Sequence, residues 1–185
     1  MESNKDTLNS TKSHLLDLRY LRMAHIWAEN SYCTRRKVGA LIVKDKMIIS
    51  DGYNGMPSGF PNVCEGEDGL TLPCVLHAEA NAITKIARSG NNSDGATLYV
   101  TDSPCIECAK LIIQAGIRRV VYARSYRLTD GVDLLLKAGI SVEKVELGQK
   151  YLTELNYTEA VASFTEAIGL DPENIDYVAL GKHMS

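Results

Sequence analysis

The sequence predicts an α/β domain of three layers (α/β/α), with helices on both faces of a mixed sheet and a helical hairpin after it. Three observations lead there. Helical and strand patterns alternate over residues 15–145, the order that lays helices over a sheet. Two early β-rich runs are separated only by the charged Lys44-Asp45-Lys46 turn, so the sheet opens with an antiparallel hairpin. The 185 residues are 45% hydrophobic and 23% charged, an ordinary globular balance that supplies one well-buried core and not two full domains.

In chain order, a polar segment covers residues 1–14. Leu16, Tyr20, Met23 and Trp27 then recur at helical spacing, which predicts a first helix over 15–30. Val38–Val43 and Met47–Ser50 form the hairpin, and a Gly- and Pro-rich loop follows from Gly52 to Pro73, too long for a plain connector. His77–Arg88 reads as a helix stopped by Ser89-Gly90-Asn91-Asn92, and Ala96–Thr101 as a buried strand. Cys105–Ala115 is a helix closed by Gly116, Arg119–Ala123 a strand, Val132–Ala138 a helix closed by Gly139, and Ile140–Val145 the last strand. The domain is therefore expected over 15–146.

Bulk properties narrow the function classes. A net charge of −3 disfavours a broad polynucleotide footprint. Two Phe and one Trp give little material for a base-stacking channel. The start of the chain lacks the apolar stretch of a signal peptide and no segment is apolar over ~18 residues, which points to a cytoplasmic protein with no membrane partner. Five cysteines, an odd number without a secretory signal, suggest metal ligands or free thiols over a disulfide framework.

The chemistry concentrates in His77-Ala78-Glu79 and Pro104-Cys105-Ile106-Glu107-Cys108. One imidazole and two thiolates are a zinc donor set that leaves the fourth tetrahedral position for water, the hallmark of a catalytic site. Ser103-Pro104 opens a helix, whose free N–H groups are expected to lower the pKa of both Cys105 and Cys108. Glu79 lies two residues past His77, placed to shuttle protons beside the metal. The arrangement resembles the signature of zinc deaminases, in which zinc activates water for attack at C4 of cytosine while one glutamate serves as base and then acid.

Taken with Lys37–Val43 (KVGALIV), Gly52–Gly59 (GYNGMPSG) and Lys110–Gly116 (KLIIQAG), the motif makes residues 20–145 resemble the deoxycytidylate deaminase family. That resemblance implies a cytidine deaminase-like fold, hydrolysis of dCMP to dUMP with release of ammonia for thymidylate synthesis, and a homo-oligomer, often a hexamer, regulated by dCTP and dTTP with Mg2+. It also implies that Asn54 contacts the sugar or base, that the Ala78 backbone meets the pyrimidine carbonyl, that Tyr126 helps close the pocket, and that Arg88 belongs to a regulatory-nucleotide site. By the same resemblance Cys33 and Cys64 fall where phage relatives hold a second, structural zinc. The histidine pair that completes it there is missing, which leaves Cys74 as a substitute and His25 as a candidate fourth ligand. Arg35, Arg36 and Lys37 are candidate phosphate donors.

Residues 147–185 depart from that family. Leu147-Gly148, Tyr151, Ala160, Phe164, Ala167 and Pro172 fall at the offsets of a single 34-residue tetratricopeptide repeat, with helices expected over 147–155 and 158–170. One repeat cannot bury its own apolar face, so this tail is expected to dock on the core, a neighbouring subunit or a partner protein, the first two being favoured. Two rival functions stand beside dCMP deamination: action on another cytosine species such as cytidine or dCTP, and an inactive nucleotide-sensing binding module, against which the intact Glu79 argues.

Overall fold

The computed structural model of the chain describes residues 2–126 and 128–146. The repeat-like tail expected over 147–185 lies outside the described residues. The chain divides there, its first unit ending at Glu146.

Helix α1 (Glu2–Ala28) is followed by β1 (Gly39–Lys44), β2 (Met47–Tyr53), α2 (Ala78–Ala87), β3 (Thr97–Asp102), α3 (Ile106–Gln114), β4 (Arg119–Arg124), α4 (Asp130–Lys137) and β5 (Ser141–Lys144). The five strands form one mixed sheet in the order β2-β1-β3-β4-β5. β1 pairs antiparallel with β2 and β3, whereas β3, β4 and β5 run parallel. The β1–β2 turn is made by Asp45 and Lys46 alone, both at positive φ (50° and 63°), which is the type I′ geometry that matches strand twist.

Successive strand residues face opposite ways, and the sheet buries both sides. Ala40, Ile42, Leu98, Val100 and Val120 join Ala82 and Ile86 of α2, Ala109 and Ile112 of α3 and Leu135 of α4 in one core. The alternate row Leu41, Tyr99 and Val121 is paired across β1, β3 and β4 and belongs to the face that α1 covers, where Tyr20 and Tyr99 meet with ring centroids 4.9 Å apart. The expected three layers are therefore present.

Helix α1 differs from its expectation in two ways. It begins at Glu2, so the polar stretch over 1–14 runs into the helix without a break; that stretch has no apolar stripe to reveal it. Its buried face is Asp17, Leu21, Ala24 and Ala28, while Met23 and Trp27 from the expected stripe are exposed. The reason is an ionic anchor: Asp17 accepts two hydrogen bonds from Arg119 of β4, each 2.8 Å, and one from the Tyr99 hydroxyl at 2.7 Å. Small residues follow it, and Gly39 lies so close to Ala24 and Ala28 of α1 that a β-carbon there would strike backbone.

Candidate active site

Two helix starts meet at one end of the sheet. His77 is the N-cap of α2 and Cys105 the N-cap of α3, both with extended backbone, and neither spends its side chain on capping. N-cap side chains ordinarily accept the free N–H groups of the first turn; here both are released for another use. The His77 Nδ1 lies 3.5 Å from the Cys105 Sγ and 3.4 Å from the Cys108 Sγ. Bond lengths of ~2.3 Å to sulfur and ~2.0 Å to nitrogen at a tetrahedral centre require N···S separations of about 3.6 Å. Both N···S separations therefore match a shared zinc, and the trio is the one three-donor cluster among the described residues.

Electrostatics follow from this crowding. In the metal-free protein, bonds from the Cys108 thiol and from His77 pull Cys105 down to about 3. Cys108 moves the other way, raised because its thiol donates to Cys105 and because it is buried. In the metal-free protein the expected lowering therefore holds for Cys105 and not for Cys108, whose thiol is raised by its bond to Cys105 and by burial. The bond to Cys105 raises His77. Glu79, buried at 4% exposure, is pushed up to about 7 by burial, against the pull of its own backbone N–H and of His77.

A cavity of about 650 Å³ opens over this cluster, lined by His77, Ala78, Glu79 and Cys105 on its floor and by Arg35, Arg36 and Tyr126 among its walls. That volume suits a mononucleotide-sized ligand. Asn54 lines it too. Its side chain also braces the wall, accepting from Val38 N–H at 2.7 Å and donating to the Arg36 carbonyl at 2.8 Å. The first-turn N–H of Ala78 is among those that a helix leaves without an internal partner. Tyr126 is fixed by its backbone N–H, which donates to Ser103 Oγ at 2.7 Å.

The family model for the cytidine and deoxycytidylate deaminase zinc-binding region matches residues 16–124, which span every group just described except Tyr126. The chain belongs to this deaminase family. ComE operon protein 2 of Bacillus subtilis (strain 168) is 40% identical to it over 155 residues, covering 81% of each chain. The deoxycytidylate deaminase of Enterobacteria phage T4 is 36% identical, with 74% of this chain and 92% of that one covered. The crystal structure of the dCMP deaminase from cyanophage S-TIM5, in complex with dCMP and dUMP, is similar at a TM-score of 0.68 and 49% identity, over 69% of this chain and 94% of that chain. No helix among the described residues of this deaminase-family chain is long and apolar enough to cross a membrane.

Other candidates fall away from the cavity. Cys33 and Cys64 are buried together with Val75, and burial raises the Cys64 thiol to about 12. Cys74 is exposed, with its sulfur against Met56 at 3.7 Å, so Cys33, Cys64 and Cys74 are not gathered into a ligand trio. His25 is also directed elsewhere: burial and nearby Arg124 lower it to about 4. Lys37 turns from the cavity and donates to the Glu29 carbonyl. Arg88 is the exposed C-cap of α2. As N-cap and C-cap of that 10-residue helix, His77 and Arg88 are separated by a rise of about 16 Å, at 1.5 Å per residue. Asp102, which borders the cavity, went unread in the sequence, and Ser103, which borders it too, was read only as the opening of a helix; the signal for them is an acid and a hydroxyl just ahead of Pro104-Cys105.

Proposed function

We propose that this chain hydrolyses dCMP to dUMP and ammonia, a cytoplasmic step that feeds thymidylate synthesis. The observation that carries the reading is the Glu79 carboxyl, buried against the His77–Cys105–Cys108 donor set at the floor of an arginine-bordered cavity. The similarity to deaminases whose names specify deoxycytidylate supports the choice of substrate.

His77, Cys105 and Cys108 would hold the zinc. When bound, zinc supplies the Lewis acid that activates water at neutral pH for attack at C4 of the pyrimidine. Glu79, whose affinity for a proton is raised by burial, takes the proton of that water and returns protons to N3 and to the departing amine. The sum is one water consumed and one ammonia released. On this reading the Ala78 N–H donates to the pyrimidine carbonyl, Asn54 meets the sugar or base, and Tyr126 covers the nucleotide. Arg35 and Arg36, the cations on the cavity wall, answer the 5′-phosphate.

Ammonia release from a panel of dCMP, deoxycytidine, cytidine and dCTP tests the reading, with Glu79→Gln as control. The best turnover is expected with dCMP. Preference for cytidine would replace the substrate, and no turnover of any member would favour a nucleotide-sensing module.

The resemblance extends to regulation and assembly. We infer a hexamer controlled by dCTP and dTTP with Mg2+, with Arg88 in the effector site; its exposed position far from the cavity suits a site separate from catalysis. Loss of the dCTP and dTTP responses in Arg88→Ala, with unregulated turnover intact, is the expected result. A second zinc at Cys33 and Cys64 would need ligands beyond the described residues, and a count of two zinc ions per chain would establish it.

A further inference from the structure

Asp102 ends β3 at the edge of the cavity, and its side chain is only 8% exposed. A carboxylate so buried requires charged partners. It has two, one on each oxygen: Arg36 Nε at 2.6 Å from Oδ2, and Arg124 Nε at 2.8 Å from Oδ1. These arginines come from separate segments, the loop before β1 and the end of β4. Their side chains stay about half exposed, at 45% and 47%. Each engages Asp102 through Nε, and no other ion pair of either is found among the described residues. The terminal Nη groups are the part of a guanidinium that grips a phosphate in a two-pronged bond.

The local charge is lopsided. One carboxylate faces two guanidinium groups, which leaves an excess positive charge in a chain whose net charge is −3; Arg36 and Asp102 line the cavity together with Arg35, whereas Arg124 reaches it only through Asp102. His25 packs near the pair but stays neutral at pH 7, since burial and then Arg124 lower it to about 4. It therefore adds no cation to satisfy Asp102. Arg36 and Ser103 line the cavity, as do Ser125 and Tyr126, the two residues after Arg124.

We propose that Asp102 is a positioning residue: held on one oxygen by Arg124, it grips Arg36 at Nε with the other and presets the Arg36 guanidinium to receive the 5′-phosphate of the nucleotide substrate. The inference rests on the dCMP reading above and deepens it by assigning the work of Asp102 and of Arg124, the partner that braces it. Fixing this long side chain beforehand lowers the entropy cost that binding would otherwise carry. A phosphate remote from the reacting carbon gains in ground state and transition state alike, so the effect belongs in KM and not in kcat.

Steady-state kinetics of the zinc-loaded full chain provide the test. Asp102→Asn should raise KM for dCMP about tenfold, the scale of one charge-assisted hydrogen bond, with kcat within twofold of the parent. Arg124→Gln, at a half-exposed position, should give the same split, with thermal melting run beside it to show that the variant is folded. Inorganic phosphate should become a correspondingly weaker competitive inhibitor of both variants. An unchanged or lowered KM in Arg124→Gln overturns the proposal, as does a fall in kcat as large as the fall in kcat/KM. A parent enzyme that turns over deoxycytidine as well as dCMP would instead remove the phosphate reading on which the proposal stands.

Discussion

Gly131, at the start of α4, faces the backbone of Pro104 and Cys105 so closely that no β-carbon fits between them. Helix α4 contributes no donor to the zinc trio, yet its backbone buttresses the turn that carries one. Gly131→Ala should therefore push the Pro104–Cys105 segment, lowering zinc retention and activity by about tenfold or more. Gly139→Ala is the comparison, because Gly139 is at φ 77° with nothing within 4 Å of a β-carbon. It should cost about 1 kcal/mol of backbone strain and leave zinc content alone. Zinc analysis after dialysis, beside thermal melting, separates the two; equal zinc loss in both would discard the buttress.

Glu79→Gln preserves shape and removes the charge. Because burial holds Glu79 up to about 7, a neutral amide suits this site, and the melting temperature should not fall. Turnover should drop by roughly 10²–10⁴-fold, the contribution of a positioned acid–base group. A variant with full zinc and residual kcat above a tenth of the parent value would take the proton shuttle away from Glu79.

The zinc trio was legible in the sequence because its residues hang on two helix starts, where fixed spacing translates directly into geometry. The order of layers was legible for a similar reason, since apolar runs and Gly stops announce themselves locally. Other features depend on contacts between distant segments. Asp17 is a polar residue on the buried face of α1, so it broke the apolar pattern and drew the reading to Met23 and Trp27. Asp102 is a single acid whose meaning depends on Arg36 and Arg124, one before it and one after, with no spacing rule to join them. Cys74 resembled a ligand only by residue type, and the fold leaves it at the surface.

Removing the metal should expose a reactive thiolate. In the metal-free chain Cys105 is half-buried and lowered to about 3, first by the bond from Cys108 and then by that from His77, so it is anionic at neutral pH. Buried Cys64, raised to about 12, remains a protonated thiol. Chelation followed by brief iodoacetamide treatment should label Cys105 over Cys108 and Cys64, and added zinc should suppress that label by more than about tenfold. Peptide mapping reads the positions directly. Labelling of Cys105 that zinc does not affect would mean that this sulfur is not a metal ligand.

The anchor of α1 makes an acid-dependent contribution to stability. Burial alone would raise the pKa of Asp17, but the bonds from Arg119 and Tyr99 together outweigh it and leave it below the ordinary 3.8. Glu143 of β5, bonded to the same Arg119, is lowered too. A carboxyl whose folded pKa is depressed stabilises fully above its unfolded pKa, and that stabilisation is lost as the pH falls through the folded value. Asp17→Asn should accordingly cost about 2 kcal/mol at pH 7, the scale of a buried charged hydrogen bond, and the difference from the parent should shrink below about pH 4. Urea midpoints of both proteins, measured with chelator present so that zinc loss is common to each, check this. A difference that stayed constant down to about pH 2 would show that the Asp17 carboxylate is not what holds α1 against the sheet.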